Sequence, residues 1–261
     1  MRSNPIFKAD FLLGARSKKF TRIYFWFLLT ITLILWINWP SSLPYGDRVI
    51  RGEPLDLTLV MLTLQMILIF YLALSLSSGV VMVEGELSLR DLLVAAPRDK
   101  GFIIRAKVAN YLIQSLLLLI SPVPLVVLAT TVSSLDIKTL PKAYAILIGL
   151  IIGLGGIGFF FSVVLRITLR RIANWGVILF CWIITYIIDQ KVPFSFKGWR
   201  LIHWNPFVAL FSLSENKILG NKMMEMNIWE MCLWGYIILG VIFVGLTVWW
   251  IKKKLPVTSQ S

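Results

Sequence analysis

Six long apolar runs constrain this chain more than any other feature of its sequence. A helix of about 20 apolar residues crosses the roughly 30 Å hydrocarbon core of a bilayer. Hydrophobic residues make up 58% of the chain and charged residues only 15%, unlike a soluble domain. The sequence therefore predicts an all-α polytopic membrane protein with six transmembrane helices. The runs span residues 23–39, 57–83, 108–132, 143–165, 172–188 and 228–251.

The positions of the charges agree with six spans and indicate their direction. Ionisable residues lie only near the ends of the runs, with Glu230 the main example, because one at a span centre costs roughly 2.5–3.5 kcal/mol. Most Lys and Arg residues fall in the N-terminal tail and in residues 90–107, 166–171 and 252–254. Cytoplasmic loops are rich in Lys and Arg. We expect both termini in the cytoplasm and the protein in the inner (plasma) membrane.

Residues 1–22 form the predicted N-terminal segment. Asn4 and Pro5 are a typical helix start, and the segment ends in basic residues that attract anionic lipid. We predict an interfacial helix that lies along the cytoplasmic membrane surface. The alternative is a flexible basic tail that only sets the topology.

The outer segment before the last span, residues 189–227, holds Trp199, Trp204 and the pair Asn205 and Pro206. Tryptophan favours the membrane interface, and Asn followed by Pro favours a helix start. We expect one or two short re-entrant or interfacial helices here.

Pro122 and Pro124 lie about midway along the third run. Each lacks a backbone N–H and disrupts the helical turn before it, so at least a kink is expected. The pair is a candidate gate or hinge. The alternative is a simple bend, since membrane helices tolerate proline.

Gly153, Gly155 and Gly158 match the dinucleotide-binding pattern G-x-G-x-x-G. That pattern needs a strand before it and a helix after it in a water-exposed fold, whereas these glycines lie in a wholly apolar run. Gly149 and Gly153 also form G-x-x-x-G, which allows membrane helices to approach closely. We interpret Gly149 and Gly153 as helix-packing residues, within one chain or in a dimer.

The sequence lacks catalytic and metal-binding patterns. Its single histidine, His203, cannot form a histidine metal cluster, and Cys181 and Cys232 lie inside apolar runs. No phosphate-binding G-x-x-x-x-G-K-[ST] loop occurs, so the chain has no such ATP site of its own. We expect no enzyme activity, cofactor or metal in this chain. The net charge of +13 follows the loops, so we expect no nucleic-acid partner.

Neutral polar residues near the middle of the spans, Gln65, Asn110 and Gln114, are candidates for a substrate path. A proton- or sodium-coupled carrier usually needs ionisable groups or broken helices at the midplane. The neutral midplane indicates that any uphill transport draws its energy from elsewhere.

A charged segment, residues 84–107, joins the second and third runs. Leu89, Leu92, Leu93 and Ala96 share one helix face, and Pro97 ends the helix. Two spans could be joined by a short polar loop. A helix over residues 84–96 therefore indicates a docking surface.

This segment resembles that of the membrane subunits of type-2 ABC transporters, which runs roughly E-R-E-x-G-T-L-E-x-L-L-x-T-P and later G-K. Lys107 takes the place of that lysine, and the sequence differs at Gly85, Ser88, Leu89 and Ala106. The predicted architecture over nearly the whole chain is also similar to that family. The residues that match in kind are Glu84, Glu86, Asp91, Leu92, Leu93 and Pro97.

The resemblance implies a permease that pairs with a second membrane subunit, identical or related, and with two cytoplasmic ATPase subunits that bind ATP and magnesium. In that family, the segment is a coupling helix that transmits ATPase closure to the spans. The coupling residues implied here are Glu84, Glu86, Leu89, Arg90, Asp91, Leu92 and Leu93.

The function implied by the resemblance is export of an amphipathic or lipid-linked substrate. Two alternatives stay open: a non-transport membrane component, such as an assembly factor, and a secondary transporter. A co-purifying ATPase would separate the first function from both alternatives.

Overall fold

The computed structural model describes residues 18–37, 57–77, 100–131, 137–165, 167–181, 204–213 and 227–254. These residues contain no strand, so the predicted all-α fold is confirmed for them. A 3₁₀ turn at Ile137–Thr139 precedes α5. The helices are α1 Lys18–Ile37, α2 Leu57–Ser77, α3 Lys100–Ile120, α4 Val123–Thr131, α5 Leu140–Val164, α6 Ile167–Leu179, α7 Pro206–Phe211 and α8 Ile228–Lys254.

Four stretches of the described chain are long and apolar enough to cross a membrane, which supports the predicted membrane protein. They are Leu57–Leu74, Ile104–Thr131, Ile137–Val164 and Ile228–Lys253. The first predicted span corresponds to α1, whose apolar part Tyr24–Ile37 is shorter. The fifth corresponds to α6, which is described only as far as Cys181.

Helix α5 lies at the centre of the bundle and packs most extensively against α8 and α2. Gly149 lies beside Leu233, and Gly153 lies beside Tyr236. Further along, Gly156 lies beside Gly240. Because the contacting positions advance together along both helices, α5 and α8 run parallel.

Other contacts fix the directions of α2 and α3. Gln65, near the middle of α2, accepts a hydrogen bond from Tyr144, near the start of α5, whereas Leu74, near the end of α2, accepts one from Asn174 of α6, which follows the end of α5. Helices α2 and α5 therefore run in the same direction. Tyr111 contacts α5 at Ile151, whereas Leu119, further along α3, reaches the level of Gln65 and Tyr144. Helix α3 therefore runs antiparallel to α5.

These directions gather basic residues at the end of the bundle where α5 ends and α6 begins, which we call the basic end. The opposite end carries Lys138 and Lys142, and the Lys142 ammonium lies 5.9 Å from the centroid of the Trp229 ring. The described residues of the basic end are Lys100, Arg105, Lys107, Arg170, Arg171, Lys252, Lys253 and Lys254.

Helix α7 packs one face against the bundle, with Pro206, Ala209 and Leu210 buried and Phe211 exposed. The Asn205 side chain caps it by accepting a hydrogen bond from the backbone N–H of Phe207 at 2.9 Å. The Phe207 ring stacks on Phe70 of α2, with centroids 6.2 Å apart. Trp204 lies 3.7 Å from the position that a Cβ on Gly235 would occupy. The sequence prediction of a short helix after Asn205 and before the last span agrees with α7.

Candidate functional site

The predicted coupling residues lie outside the described residues. These are Glu84, Glu86, Leu89, Arg90, Asp91, Leu92 and Leu93, and the helix predicted over residues 84–96 stays a prediction. The flanking helices are described. Helix α2 runs toward the basic end, and α3 starts there.

The two prolines lie where the third apolar run is interrupted. Helix α3 ends at Ile120, Ser121 and Pro122 form a turn, and α4 starts at Val123 with Pro124 in its first turn. The kink expected from the prolines is thus a break between two helices. Whether this break acts as a gate or hinge stays a prediction at this point.

Gln65 lies opposite this break and is completely buried. Its Nε2 donates a hydrogen bond to the carbonyl oxygen of Leu119 at 2.9 Å. Its Oε1 accepts a hydrogen bond from the Tyr144 hydroxyl at 3.4 Å. One carboxamide therefore joins α2, α3 and α5 beside the break.

Asn110 and Gln114 lie on the buried face of α3. The Gln114 Nε2 donates a hydrogen bond to the Asn110 Oδ1 at 3.2 Å. Between these residues, the Tyr111 hydroxyl donates to the carbonyl oxygen of Ile151 at 2.5 Å. These polar groups and Gln65 are buried within one chain, and a role for Gln65, Asn110 and Gln114 in a substrate path stays a prediction.

Glycine at position 155 makes the contact of Tyr111 with α5 possible. A Cβ on Gly155 would lie 2.5 Å from the Tyr111 Cε1, which is closer than side chains pack. The Tyr111 ring also meets Phe159 edge-on, with centroids 5.5 Å apart. The ring therefore fits between α3 and α5 only because position 155 has no side chain.

Gly149 and Gly153 both face α8 of the same chain. A Cβ on Gly149 would lie 3.0 Å from the Leu233 Cδ1, and one on Gly153 would lie 2.8 Å from the carbonyl oxygen of Tyr236. The glycines therefore allow α5 and α8 to approach closely. Their participation in a dimer stays a prediction.

Sequence reasoning missed three residues of this polar interior, namely Tyr111, Tyr144 and Arg170. Arg170 is almost fully buried at the start of α6, one turn before Asn174, whose Nδ2 donates to the carbonyl oxygen of Leu74 at 3.4 Å. A tyrosine inside an apolar run, such as Tyr111 or Tyr144, is a usable signal, since its hydroxyl needs a hydrogen-bond partner in a membrane. Arg170 lies between two runs, and its sequence position alone does not indicate burial.

Across the described ranges, no group of three or more His, Cys, Asp or Glu could hold a metal ion. The side chains of Gln65, Tyr111, Gln114 and Asn174 hydrogen-bond to helix backbones or to another side chain. Comparisons with protein-family models, with curated proteins and with solved structures found no match.

Proposed function

We propose that this protein is the transmembrane subunit of an ATP-driven exporter of the type-2 ABC class, a permease that works with separate cytoplasmic ATPase subunits. The observation that carries the proposal is the acidic, leucine-bearing segment over residues 84–97, followed by Lys107. Support comes from the basic end, where α3 starts close after this segment. Since basic residues favour the cytoplasmic side, we place the segment and both termini in the cytoplasm.

Six spans are part of the proposal. The parallel packing of α5 and α8 supports a return crossing between them. We assign that crossing to the fifth apolar run of the sequence, residues 172–188, whose described part lies mainly in α6. Helix α1, with its apolar part Tyr24–Ile37, supplies the first span.

The segment over residues 84–96 is proposed to work as the coupling helix. Glu84 and Glu86 suit the positive N-terminal end of a helix, and Leu89, Leu92 and Leu93 suit an apolar groove of the ATPase. Moving a gate from 1:99 to 99:1 requires about 5.5 kcal/mol of preference for one state. In this proposal, that energy reaches the spans through the coupling helix.

The remaining parts of the transporter follow from this assignment. The break at Pro122 and Pro124 is proposed as the gate or hinge. Because Gly149 and Gly153 contact α8 of the same chain, we place the second membrane subunit on another face. The substrate class that suits an apolar bundle with neutral polar groups is an amphipathic or lipid-linked molecule.

Co-purification tests the proposed function. The full-length chain, tagged and isolated from its own cells, is expected to carry a bound ATPase. Leu92→Asp on the apolar face should abolish ATPase binding, while the matched control Val94→Asp, on the opposite face of the predicted helix, should preserve it. A solitary chain, or equal ATPase recovery with both variants, would count against the proposal. Membrane insertion of each variant serves as the control for folding.

A further inference from the structure

The break between α3 and α4 removes backbone donors at a buried position. In a continuous helix, the carbonyls of Leu118, Leu119 and Ile120 would accept hydrogen bonds from residues 122, 123 and 124. Residues 122 and 124 are prolines and have no N–H. The backbone resumes its regular bonding only at Val126, whose N–H donates to the carbonyl oxygen of Pro122 at 3.0 Å.

The prolines remove the helical donors of Leu118 and Ile120, and Gln65 donates to the Leu119 carbonyl that lies between them, whose donor in a continuous helix would be the Val123 N–H. The Gln65 carboxamide must point its NH₂ group at Leu119, because a carbonyl oxygen only accepts hydrogen bonds. This orientation leaves Oε1 to accept from the Tyr144 hydroxyl on α5. Gln65 is completely buried, and its carboxamide holds the end of α3 against α2 and α5.

The two helices that meet at the break have different neighbours. Helix α3 packs against α2 and α5, whereas α4 packs against α2 and α1. Helices α5 and α8 are locked by backbone contacts at Gly156 and Gly240. A change of angle at the break would therefore alter the packing of α4 on α2 and α1 and leave the packing of α5 on α8 unchanged.

We propose that Gln65 is a latch for this joint, holding the end of α3 against α2 and α5 through its bonds to Leu119 and Tyr144 and so fixing the angle between α3 and α4. When the Gln65 Nε2 releases the Leu119 carbonyl, the break becomes a hinge at which this angle changes. Hinges of this kind use a few residues at the ends of helices to absorb the backbone change. The inference rests on the break being the hinge of the proposed function and adds the residue that holds it, and its test follows the motion of this chain without an ATPase or a substrate.

A distance measurement between two spin labels tests the latch. Val127 on α4 and Ile148 on α5 are both exposed and can carry the labels, after Cys181 and Cys232 are replaced by alanine. The full-length chain is measured in lipid nanodiscs by electron spin resonance. We expect a single narrow distance peak when Gln65 is present. In Gln65→Leu, we expect the distance distribution to shift or broaden.

Two further variants make the test decisive. Asn174→Leu removes a buried carboxamide that also bonds to a helix carbonyl, but away from the break, and it should retain the narrow peak. Tyr144→Phe keeps the Gln65 donor and removes only the hydroxyl that orients it, so an intermediate broadening is expected. If Gln65→Leu does not fold, the distance distribution of Tyr144→Phe tests the latch in its place. An unchanged peak in folded Gln65→Leu, or in Tyr144→Phe should Gln65→Leu not fold, would overturn the proposal. The same broadening in Asn174→Leu would also overturn it.

Discussion

Gly156 of α5 and Gly240 of α8 meet with no room for a side chain on either helix. A Cβ on Gly156 would lie 2.6 Å from the carbonyl oxygen of Gly240, and one on Gly240 would lie 2.5 Å from the carbonyl oxygen of Ile152. In both cases the obstacle is backbone, which cannot move aside as a flexible side chain can. This contact is therefore the closest constraint on the packing of α5 against α8.

Alanine at either position should destabilise the protein. Gly156→Ala and Gly240→Ala force the two helices apart, and overpacking of this kind costs about 1–3 kcal/mol. Thermal unfolding in detergent measures the loss. Gly245→Ala is the matched control on α8, because a Cβ there meets nothing within 4 Å, and it should be neutral or slightly stabilising. Equal destabilisation by Gly245→Ala would contradict the account.

The bond between Tyr111 and Ile151 predicts a coupled pair of substitutions. Tyr111→Phe removes one interhelical hydrogen bond, which in membranes is worth about 0.6 kcal/mol on average. Gly155→Ala should cost more, since its Cβ would overlap the Tyr111 ring. The double variant should cost less than the sum of the two, because Gly155→Ala already displaces the hydroxyl from Ile151. Additive losses in chemical denaturation would show that the two positions act independently.

Glu230 provides a test between a structural and a transport role. Its Oε2 accepts from the backbone N–H of Asn227 at 3.1 Å, and its Oε1 accepts from the Asn227 side chain at 3.0 Å. This arrangement caps the start of α8, so Glu230→Ala should cost about 1 kcal/mol of stability. Glu230→Gln keeps an acceptor and should retain both stability and transport. Loss of transport in Glu230→Gln would instead favour a cation-coupled carrier.

The orientation of the bundle can be tested by cysteine labelling in intact cells. Lys138 at the opposite end and Arg171 at the basic end are both exposed. With an impermeant maleimide, Lys138→Cys should react in intact cells, whereas Arg171→Cys should react only after permeabilisation. Cys181 and Cys232 are buried and should give a low background. The reverse pattern would place the coupling segment outside the cell.

Hydrophobic periodicity and turn chemistry predicted much of the fold, for physical reasons. Apolar runs located the described membrane helices, Pro122 located the break after α3, and Asn205 with Pro206 located α7. Helix ends were less predictable. Helix α3 starts at Lys100 rather than at residue 108, and α6 starts at Ile167 rather than at residue 172. Apolar runs mark only the part of a helix that lies in the hydrocarbon core. The helix itself can continue beyond that core, because long basic side chains reach the interface.

The polar interior could be predicted only in part. The sequence singles out Gln65 as a neutral polar residue in a span, but not its bond to Leu119. That bond depends on which residue of α2 faces the break, and so on tertiary packing. The role of Gly155 also depends on tertiary packing, because the side chain that needs its free space is Tyr111 on another helix. Composition identifies such residues, but only the assembled bundle shows their partners.

Photo-crosslinking from position 92 tests the central claim most directly. A photoreactive amino acid is placed at Leu92 in the full-length chain and activated in living cells, with position 94 as the control. We predict a covalent adduct between position 92 and a cytoplasmic ATPase subunit, identified by mass spectrometry, and little or none from position 94. Adducts from position 92 to lipid or to an extracellular protein, with no ATPase among them, would contradict the account.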